Sequence, residues 1–424
     1  MKILIVGGGG REHAIAWKLS KENNVEKIYC APGNAGIAKV AQCVNISDSD
    51  IENLVKFAKE NNIDLTVVGP EVPLVNVIVD EFEKEGLKIF GPNKECSTFE
   101  GSKSFSKDFM IRHNIPTAKY KEYTNLDEAI SEIDSFGYPV VIKADGLAAG
   151  KGVVIPENRE DAINTLKEMM SDKKFGSAGE KIVVEEFLSG IETSILAFVD
   201  NDTIVPMVSA KDHKKVYNFE KGPNTGGMGT FSPSEIYTDE LSKEISEKVL
   251  NRTLQGFKKD NLNYKGVLFI GLMITEDGPK VLEYNVRFGD PETQSVLFRL
   301  ETDLHKIMEA ILDNKLKDIE INYKKEEAVC VMLTSGGYPE DYEKGKVITG
   351  LEDLDEDIVV FHSGTKMLDG NLVTNGGRVI GITTSAGSVE EAAKKVYKNI
   401  EKINFEGMHY RTDIGIKFCE EISF

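Results

Sequence analysis

The first hundred residues alternate short apolar segments with longer polar ones, and this alternation limits the possible folds more than any other feature. The apolar segments are KILIVG, KIYCAPG, LTVVGP and KIFGP, and the stretches between them include REHAIAWKLSKEN and DIENLVKFAKENN. The short segments are typical of strands, and the longer ones are typical of helices. Strands that alternate with helices build βαβ units, so the sequence predicts a parallel-sheet α/β domain over residues 1–101.

The length of the chain requires further domains. A single core does not extend over 424 residues, so about three domains are expected. A helix is predicted from Ser102, carrying Lys103 and Lys107, and strands are predicted in YPVVIKADGLAAGKGVVI, KIVVEEFLSG and IETSILAFV. The segment GVLFIGLMITEDGPKVLEYNVRF predicts a hairpin whose turn is Glu-Asp-Gly. From about residue 325 a last α+β unit is expected, beginning at EEAVCVMLTSGG and ending near HYRTDIG.

Composition and charge exclude several classes of protein. No apolar run approaches the ~18 residues of a membrane span, and MKILIVGGGG lacks a signal-peptide pattern, so a cytoplasmic protein is expected. The five cysteines are scattered and form no C-x-x-C pair, as in reduced thiols of a reducing compartment. A net charge of −19 argues against nucleic-acid binding, so an anionic substrate needs a local cluster of Lys and Arg.

The segment KVLEYNVRFGDPETQ, residues 280–294, carries an acid, an amide and a guanidinium at alternate positions. In a β-strand, Glu283, Asn285 and Arg287 share one face. The other face holds Leu282, Tyr284, Val286 and Phe288. An amphipathic strand with a solvated polar side is the simpler interpretation. The residue types favour chemistry instead, because Glu and Asn offer hard oxygen ligands for Mg²⁺ and Arg suits a phosphate or carboxylate.

The glycines of GGGGREH, residues 7–13, follow a predicted strand and open a predicted helix, where backbone N–H groups favour a phosphate. They do not form a dinucleotide fingerprint, because Glu12 or His13 stands where its third glycine belongs. A phosphate monoester therefore fits better than NAD. A tight turn without a ligand is the alternative, although four consecutive glycines favour close approach of a ligand.

The segment ADGLAAGKG, residues 144–152, is similar to a Walker A loop but has the wrong glycine spacing, and Gly152 replaces the Ser or Thr after Lys151. An apolar run, VVIP, follows where a helix would be required. The sequence therefore predicts a flexible hairpin lid that folds over phosphates, with Lys143 projecting from the strand before it. A purely structural glycine hairpin would not need Lys143, Asp145 and Lys151.

These motifs together resemble one family of ATP-dependent ligases. The phosphoribosylamine–glycine ligases, members of the ATP-grasp superfamily, have motifs similar to GGGGREHA, APGNAG (31–36), VGPEVPLV (68–75), KADGLAAGKGV, GPNTGGMG (222–229) and RFGDPETQ (287–294). The last motif resembles the signature of that family itself. The resemblance implies a multidomain α/β and α+β protein, with the N-terminal parallel α/β domain, an ATP-grasp core at 102–324, a lid subdomain at about 120–190 and a C-terminal α+β domain at 325–424.

The same resemblance implies an activity. ATP drives ligation of glycine to 5-phosphoribosylamine through glycyl phosphate, giving glycinamide ribonucleotide, ADP and phosphate in de novo purine biosynthesis. ATP and Mg²⁺ or Mn²⁺ are the expected cofactors, and a monomer without nucleic-acid or membrane partners is expected. The alternatives are another ATP-grasp carboxylate–amine ligase and a nucleotide-sensing or NAD-binding module without ligase chemistry. RFGDPETQ disfavours the first alternative, and the incomplete fingerprint disfavours the second.

Site residues are implied position by position. Lys103 and Lys143 would contact the ATP phosphates, and Glu192 would bind the ribose hydroxyls. The implied nucleotide-binding set is Lys103, Lys143, Gly150, Lys151, Glu185, Glu186, Phe187, Leu188, Glu192 and Lys214, in which Glu186 and Leu188 mark the hinge that contacts adenine. Glu283 and Asn285 are the implied metal ligands. The strand GVLFIGLMI offers no further carboxylate, so phosphates and water must complete the metal shell.

The substrate side follows from the chemistry of the implied reaction. Arg287 would hold the glycine carboxylate and the γ-phosphate, and Asp212 or Asp290 would bind the glycine ammonium. The implied catalytic residues are Arg287, Lys143, Asp212 and Asp290. The implied substrate-binding residues are Gly8, Gly9, Gly10, Asn34, Gly36, Pro70, Glu71, Asn224, Gly226, Gly227 and Arg287. Asp290 fits equally well as a helix N-cap with Pro291 at the first helical position.

A basic segment, Lys211, His213, Lys214 and Lys215, is expected to add positive potential near the phosphates. His213 is a candidate general base. A loop histidine without a catalytic role is the better interpretation.

Overall fold

The computed structural model describes residues 1–147, 152–172 and 179–416. The implied nucleotide-binding residues Gly150 and Lys151 and the fifth cysteine, Cys419, lie outside these ranges. The other four cysteines are free thiols. Within the described ranges, no helix combines the length and apolar composition needed to cross a bilayer.

The N-terminal region forms the predicted parallel sheet. Its strands are β1 (Lys2–Gly7), β2 (Lys27–Pro32), β3 (Gln42–Cys43), β4 (Leu65–Val68) and β5 (Ile89–Phe90), and its helices are α1 (Gly10–Leu19), α2 (Ile51–Glu60), α3 (Glu71–Val75), α4 (Ile78–Lys84) and α5 (Lys94–Gly101), with a 3₁₀ turn at Ile37–Lys39. The strand order is β3-β2-β1-β4-β5, with every pair parallel. Because β1 is central, glycines 7–10 lie at the switch point of the sheet, where ligands of open α/β sheets bind.

A small antiparallel sheet follows. Its elements and the helix before it are α6 (Lys103–Arg112), β6 (Tyr120–Tyr123), α7 (Leu126–Glu132), a 3₁₀ turn (Ile133–Phe136), β7 (Val140–Ala144), β8 (Val153–Val154), α8 (Arg159–Met170) and β9 (Ile182–Glu186). The strand order is β6-β9-β7-β8. Its strands and the helices α7 and α8 share a separate hydrophobic cluster that includes Ala129, Ile142 and Leu166. This unit, here called the lid sheet, lies within the range expected for the lid subdomain, and β7 and β8 pair as the predicted hairpin.

The middle of the chain contains further helices and strands, and four of the strands form a second antiparallel sheet. Its elements are β10 (Ile191–Val199), β11 (Ile204–Pro206), β12 (Lys211–Asp212), β13 (Lys215–Tyr217), β14 (Lys221–Asn224), β15 (Gly229–Ser232), α9 (Asp239–Ile245), a π-helical turn (Ser246–Leu250), α10 (Asn251–Lys259), β16 (Gly266–Thr275), β17 (Gly278–Asn285), α11 (Glu292–Arg299) and α12 (Leu304–Leu312), followed by a 3₁₀ turn (Leu316–Asp318). The strand order of this sheet is β11-β10-β16-β17. The predicted β16–β17 hairpin is confirmed, with Gly278 paired to Thr275 across the turn.

A β-bulge in β17 corrects the predicted division of its faces. Gly271 pairs with Glu283, but Leu272 pairs with Val281, so Leu282 is the extra residue. Val281 therefore enters the core in place of Leu282. Leu282 instead lines the cleft described below. The predicted alternation holds from Glu283 onward.

The C-terminal unit is the predicted α+β structure. Its elements are β18 (Glu327–Thr334), a 3₁₀ turn (Leu351–Asp353), β19 (Val359–His362), β20 (Thr365–Leu368), β21 (Asn371–Thr374), β22 (Arg378–Ala386) and α13 (Val389–Ile400). Its main sheet has the order β12-β15-β18-β22-β19, in which β15 pairs with β18. Strands before and after residue 325 therefore share one sheet, so this unit is continuous with the middle of the chain.

Buried polar contacts hold α1 against α11 and α12. The Lys18 Nζ donates to the Leu300 carbonyl at 2.8 Å. The Glu22 carboxylate accepts from the Leu304 N–H at 2.6 Å and lies 2.6 Å from Nδ1 of His305, so it caps α12 from outside that helix. The glycine turn before α1 and the RFGDPETQ turn before α11 are consequently held side by side.

Candidate active site

A cleft lies where the N-terminal sheet, the β16–β17 hairpin and the lid sheet meet. A large cavity of about 360 Å³ and a small cavity of about 260 Å³ form it. Charged and amide residues of the large cavity are Arg11, Glu71, Glu100, Lys103, Lys107, Lys143, Glu185, Lys214, Glu283, Asn285, Arg287, Asp290, Glu292 and Arg378. The small cavity is lined by residues that include Glu186, Phe187, Leu188, Glu192, Asp212 and Asn224. Lys143, Glu185, Lys214 and Glu283 line both cavities, so the cleft is continuous.

Two lysines share one buried carboxylate at the junction of the cavities. Nζ of Lys143 lies 2.8 Å from Oε1 of Glu185, and Nζ of Lys107 lies 2.8 Å from Oε2. Burial favours the neutral acid, but the Lys143 and Lys107 charges outweigh it and lower the pKa of Glu185. Burial also lowers the pKa of Lys107, to about 8. Lys143 further donates to the Leu282 carbonyl at 3.3 Å, so β7, β9 and β17 are tied together beside the cleft.

The start of the lid loop is anchored to α6. The Asp145 carboxylate accepts from the Ser104 N–H at 3.1 Å, from the Ser104 hydroxyl at 2.6 Å and from the Ser102 hydroxyl at 3.1 Å. Lys103 donates to the Gly146 carbonyl at 3.0 Å, and burial lowers its pKa. Lys103 and Lys143 both line the large cavity.

The end of β9 forms one wall of the small cavity. Glu186 accepts from the Lys119 N–H at 2.9 Å, which fixes its side chain, and Leu188 is buried. Phe187 is 42% exposed at the mouth of the cavity. Burial raises the pKa of Glu192 across the cavity from this segment. A backbone segment, an apolar side chain and an acid thus line the small cavity together.

Glu283 and Asn285 project side by side from β17 into the large cavity. Asn285 Nδ2 donates to Glu283 Oε1 over 3.4 Å. Burial opposes ionisation of Glu283, but the positive charges of Lys143, Lys214 and Lys103 lower its pKa. An ionised carboxylate beside an amide oxygen is a donor set that suits Mg²⁺. Within the described ranges no cluster of three or more His, Cys, Asp or Glu residues is arranged to hold a metal, so a metal held by Glu283 and Asn285 would need phosphate or water oxygens to complete its shell.

Arg287 lies between two carboxylates. Its Nη2 lies 2.8 Å from Oε1 of Glu100, and its Nε lies 3.3 Å from Oε2 of Glu71. The guanidinium also approaches Oδ1 of Asn285 at 3.5 Å. Burial opposes its charge, but the Glu100 and Glu71 charges raise its pKa. The protein therefore orients the guanidinium between acids of its own, beside the implied metal ligands.

Asp212 and Lys214 form an ion pair in which the lysine is partly exposed. Their Oδ2 and Nζ atoms are 2.7 Å apart. Burial raises the pKa of Asp212, whereas Asp212, Glu292 and Glu192 together raise the pKa of Lys214 against the effect of burial. Lys214 lines both cavities and is the member of the basic segment that reaches the cleft.

The other basic residues of that segment do not line either cavity. Lys211 lies in β12 and Lys215 in β13. His213 is 6% exposed, packs against Phe231 and lies 3.4 Å from the Gly229 carbonyl. Burial lowers its pKa to about 3. His213 therefore lies in the segment between β12 and β13, as a loop histidine would, but it is buried and lines neither cavity.

Asp290 is held inside the large cavity. Its Oδ2 lies 3.4 Å from Arg378 Nη2, and its Oδ1 accepts from Gln294 Nε2 at 2.8 Å. Burial opposes ionisation, but the Arg378 and Arg11 charges lower the pKa of Asp290. The alternative interpretation as an N-cap is wrong, because α11 begins at Glu292 with Pro291 as its N-cap residue. Arg378 and Gln294 bind the Asp290 carboxylate, which therefore does not cap the helix.

Of the substrate-binding residues implied in the N-terminal loops, Glu71 lines the large cavity. A Cβ at Gly8 would lie 2.6 Å from the Gly33 carbonyl, so the close approach of two loops accounts for that glycine. Asn34 donates to the carbonyls of Gly8 and His362 at 2.9 and 2.8 Å. The remaining implied residues of these loops are Gly9, Gly10, Gly36 and Pro70. Among these four residues, Gly10 lies nearest to Asp290, because a Cβ added at Gly10 would be 3.5 Å from Oδ1 of Asp290.

The GPNTGGMG segment also borders the cleft. Asn224 lines the small cavity, and Gly226 lines the large one. The Gly226 carbonyl accepts from Arg378 Nη1 at 2.7 Å. Gly227 has φ +117°, and a Cβ there would overlap Pro291 and lie 2.7 Å from Asp212 Oδ1.

Five residues that line the large cavity have no role predicted from the sequence: Arg11, Glu100, Lys107, Glu292 and Arg378. Arg11 lies within GGGGREH and Glu292 within RFGDPETQ, so the motifs contained a signal for both. Lys107 was placed on the predicted helix without a role. Glu100 and Arg378 lie outside the motifs and reach the cleft through the tertiary fold alone.

The sequence matches one family along nearly all of its length. It matches the phosphoribosylglycinamide synthetase N domain over residues 1–100, the ATP-grasp (A) domain over 101–293 and the C domain over 328–417. It is 52% identical over 415 residues to a phosphoribosylamine–glycine ligase of Caldanaerobacter subterraneus subsp. tengcongensis, covering 98% of this chain and 99% of the relative. It is 48% identical over 421 residues to a ligase of the same name from Halalkalibacterium halodurans, covering 99% and 98%.

Solved structures agree. A crystal structure of phosphoribosylamine–glycine ligase from Thermotoga maritima superposes with a TM-score of 0.85 at 35% identity, covering 98% of this chain and 100% of that one. A biotin carboxylase of Campylobacter jejuni superposes with a TM-score of 0.74 at 14% identity over 96% and 92% of the chains, a likeness of fold alone. The fold is therefore the expected multidomain ATP-grasp architecture. With half of its residues identical to curated relatives over their full length, the chain belongs to the phosphoribosylamine–glycine ligase family, also called phosphoribosylglycinamide synthetases.

Proposed function

We propose that this chain joins glycine to 5-phosphoribosylamine, with ATP converted to ADP and phosphate, to give glycinamide ribonucleotide in purine biosynthesis. The full-length similarity to ligases of that name carries the proposal. The cleft supports it, because lysines, an acid–amide pair and an arginine converge on one continuous cavity. The enzyme would act as a cytoplasmic monomer.

The chemistry defines what the residues must do. A carboxylate resists attack by an amine, so transfer of the γ-phosphoryl group first converts glycine to glycyl phosphate. The amine of phosphoribosylamine then attacks the acyl carbon, the amide forms and phosphate leaves. The glycosylamine is neutral near pH 7 and needs no strong base, so the protein acts through positioning and charge neutralisation.

ATP would lie along the whole cleft. Adenine fits the small cavity against the 186–188 segment, and Glu192 is placed for the ribose hydroxyls. The phosphates would then extend past Lys143 and Lys214 toward Lys103 in the large cavity. The lysines balance the phosphate charge in a protein whose net charge is −19.

Glu283 and Asn285 would hold Mg²⁺ or Mn²⁺ against the phosphates. When bound, the metal neutralises charge on the β- and γ-phosphate oxygens. The chain contributes the two oxygen ligands and the three lysines that keep Glu283 ionised.

Substrate binding is assigned to the large cavity and its N-terminal border. Arg287 would hold the glycine carboxylate by exchanging the longer of its two carboxylate contacts, that with Glu71. Phosphoribosylamine would approach from the turns that contain Gly8–Gly10, Asn34, Gly36 and Pro70, with Glu71 and the 224–227 segment on either side. Asp212 and Asp290 are the candidates from sequence for the glycine ammonium.

An ADP-formation assay tests the proposal. The purified chain should form ADP only when glycine, phosphoribosylamine, ATP and Mg²⁺ are all present. Replacing glycine with other amino acids separates this activity from that of another carboxylate–amine ligase. Glycine labelled with ¹⁸O in its carboxylate should transfer one label to the released phosphate, and release of unlabelled phosphate would contradict the glycyl phosphate route.

A further inference from the structure

The carboxylates of the large cavity differ in whether the protein supplies them with a cation. They are Glu71, Glu100, Glu185, Glu283, Asp290 and Glu292. Four of them have a cation within 4.0 Å. Arg287 lies this close to Glu71 and to Glu100, Lys143 lies this close to Glu185, and Arg378 lies this close to Asp290. Among the residues that the structure describes, Glu283 and Glu292 have no Lys, Arg or His nitrogen within that distance of their oxygens.

Glu283 has an assigned cation, because it stands beside Asn285 in the proposed metal site. Glu292 has none. It is 1% exposed, and its Oε1 accepts from the Ser194 hydroxyl over 3.4 Å, which is a weak hydrogen bond. A buried carboxylate without a cation is unfavourable. Glu292 is therefore a buried carboxylate without a cation of its own in the described part of the chain.

The charged groups around Glu292 already have partners of their own. Asp212 and Lys214 are the charged groups that affect Glu292 most, and Arg287 follows. Asp212 and Lys214 already neutralise each other at 2.7 Å, and Arg287 is shared by Glu71 and Glu100. Neither cation is therefore free to pair with Glu292, and a ligand with a single positive group could take that place.

The proposed substrate brings one such group. Glycine has its carboxylate and its ammonium on the same carbon, and Arg287 and Glu292 line the same cavity. We propose that Glu292 binds the ammonium of the glycine substrate and so selects α-amino acids over carboxylic acids that lack an amino group. This rests on the proposed function. Asp212 and Asp290 are less suited, because Lys214 and Arg378 already compensate them.

The test compares the wild type with Glu292→Gln, which keeps the shape of the side chain and removes its charge. Calorimetry with a non-hydrolysable ATP analogue and Mg²⁺ should show glycine binding to the wild type and about 10²-fold weaker binding to the variant, the scale for removing one partner of a buried charge pair. In steady-state assays the glycine KM should rise by about the same factor, while the ATP KM should change by less than about threefold.

Glycolate supplies a second readout that does not depend on the variant's affinity for glycine. It has a hydroxyl in place of the ammonium, so the wild type should strongly prefer glycine, and Glu292→Gln should narrow the ratio of the two kcat/KM values at least about tenfold. If Glu292→Gln does not fold, equal use of glycine and glycolate by the wild type would itself overturn the inference.

Glu22→Gln is the matched control, since Glu22 is a buried acid whose partner is His305, outside the cleft. It should lower the melting temperature without changing the glycine KM. Unchanged glycine binding in Glu292→Gln, or a raised Mg²⁺ requirement with an unchanged glycine KM, would overturn the assignment. Glycine binding without phosphoribosylamine-dependent ADP formation would instead contradict the proposed function and leave the ammonium site standing.

Discussion

The Nη2 atom of Arg287 lies 2.8 Å from Oε1 of Glu100, a buried carboxylate at the end of α5. The other oxygen of Glu100 accepts from the Val286 N–H at 2.8 Å. One acid thus fixes both the backbone just after β17 and the arginine that follows it. Because Glu100 holds one side of the guanidinium, the side toward the more exposed Glu71 is where a substrate carboxylate can enter.

Arg287→Lys should therefore impair turnover far more than folding. Lysine keeps one positive charge near Glu100 but loses the planar fork that can serve Glu100 and a substrate oxygen together. We expect kcat to fall roughly 10²–10³-fold and the glycine KM to rise, the scale for loss of one preorganised charge-stabilising donor. Steady-state kinetics beside a melting curve measures both.

Arg112→Lys is the control, because Arg112 forms its ion pairs with Asp108 and Asp260 on the surface. Its kinetics should match the wild type. Near wild-type turnover of Arg287→Lys would return Arg287 to the simpler interpretation of a polar residue at the end of an amphipathic strand.

Local patterns predicted the elements well and the side-chain environment less well. The βαβ alternation and the β16–β17 hairpin depend on neighbours in the chain, and both are confirmed. The bulge at Leu282 depends on pairing with β16, which periodicity within β17 does not report. Asp290 has the sequence pattern of an N-cap, but Arg378, 88 residues away, binds its carbonyl and holds its carboxylate in the cavity.

Lys107 should control how well ATP is bound, although no motif marked it. It neutralises one oxygen of Glu185 so that the other can hold Lys143. Lys107→Met should lower stability by about 1–3 kcal/mol, as for a buried group left without a partner, and raise the ATP KM about tenfold. Lys107→Arg keeps the charge and should restore most of the ATP affinity, which a simple packing role would not predict.

The pH dependence offers a check on Lys107 in the wild type. Its pKa is lowered to about 8, so its charge is present below pH 8 and is lost as pH rises through that value. The kcat/KM for ATP should decline above about pH 8 in the wild type. The decline should move to higher pH in Lys107→Arg, and an identical profile in both proteins would contradict this role.

Two buried histidines should make the contact between α1 and β19 sensitive to acid. Nδ1 of His13 accepts from the His362 N–H at 2.8 Å, which requires an unprotonated nitrogen. Burial and the His362 charge lower the pKa of His13 to about 3, and burial lowers the pKa of His362 to about 4. The unfolded chain binds protons below about pH 6.5 while the native rings do not, so stability is lost as pH falls from that value.

Each histidine contributes up to about 1.4 kcal/mol per pH unit within that window. His13→Asn retains an acceptor and removes one titrating group. Urea unfolding between pH 4 and 7 should therefore give a smaller slope of stability against pH for His13→Asn than for the wild type. Equal slopes would show that His13 does not carry the acid sensitivity.

Gly227→Ala should damage both the fold and the cleft. Gly227 has φ +117°, and an added Cβ would meet Pro291 and lie 2.7 Å from Asp212 Oδ1, so the Asp212 side chain, which pairs with Lys214 through Oδ2, must shift. Gly86→Ala is the control for an alanine at positive φ without crowding, because Gly86 has φ +71° and no atom within 4 Å of its Cβ position, whereas φ +117° at Gly227 lies well outside the left-handed helical region and is more strained. Gly86→Ala should cost about 1 kcal/mol of stability and leave the kinetics unchanged.

Gly227→Ala should in addition lower kcat/KM for glycine at least about tenfold, since a displaced Asp212–Lys214 pair alters the charge beside Glu292 and the phosphates. Matching kinetics in the two variants would show that Asp212 tolerates the crowding and that its position is not required.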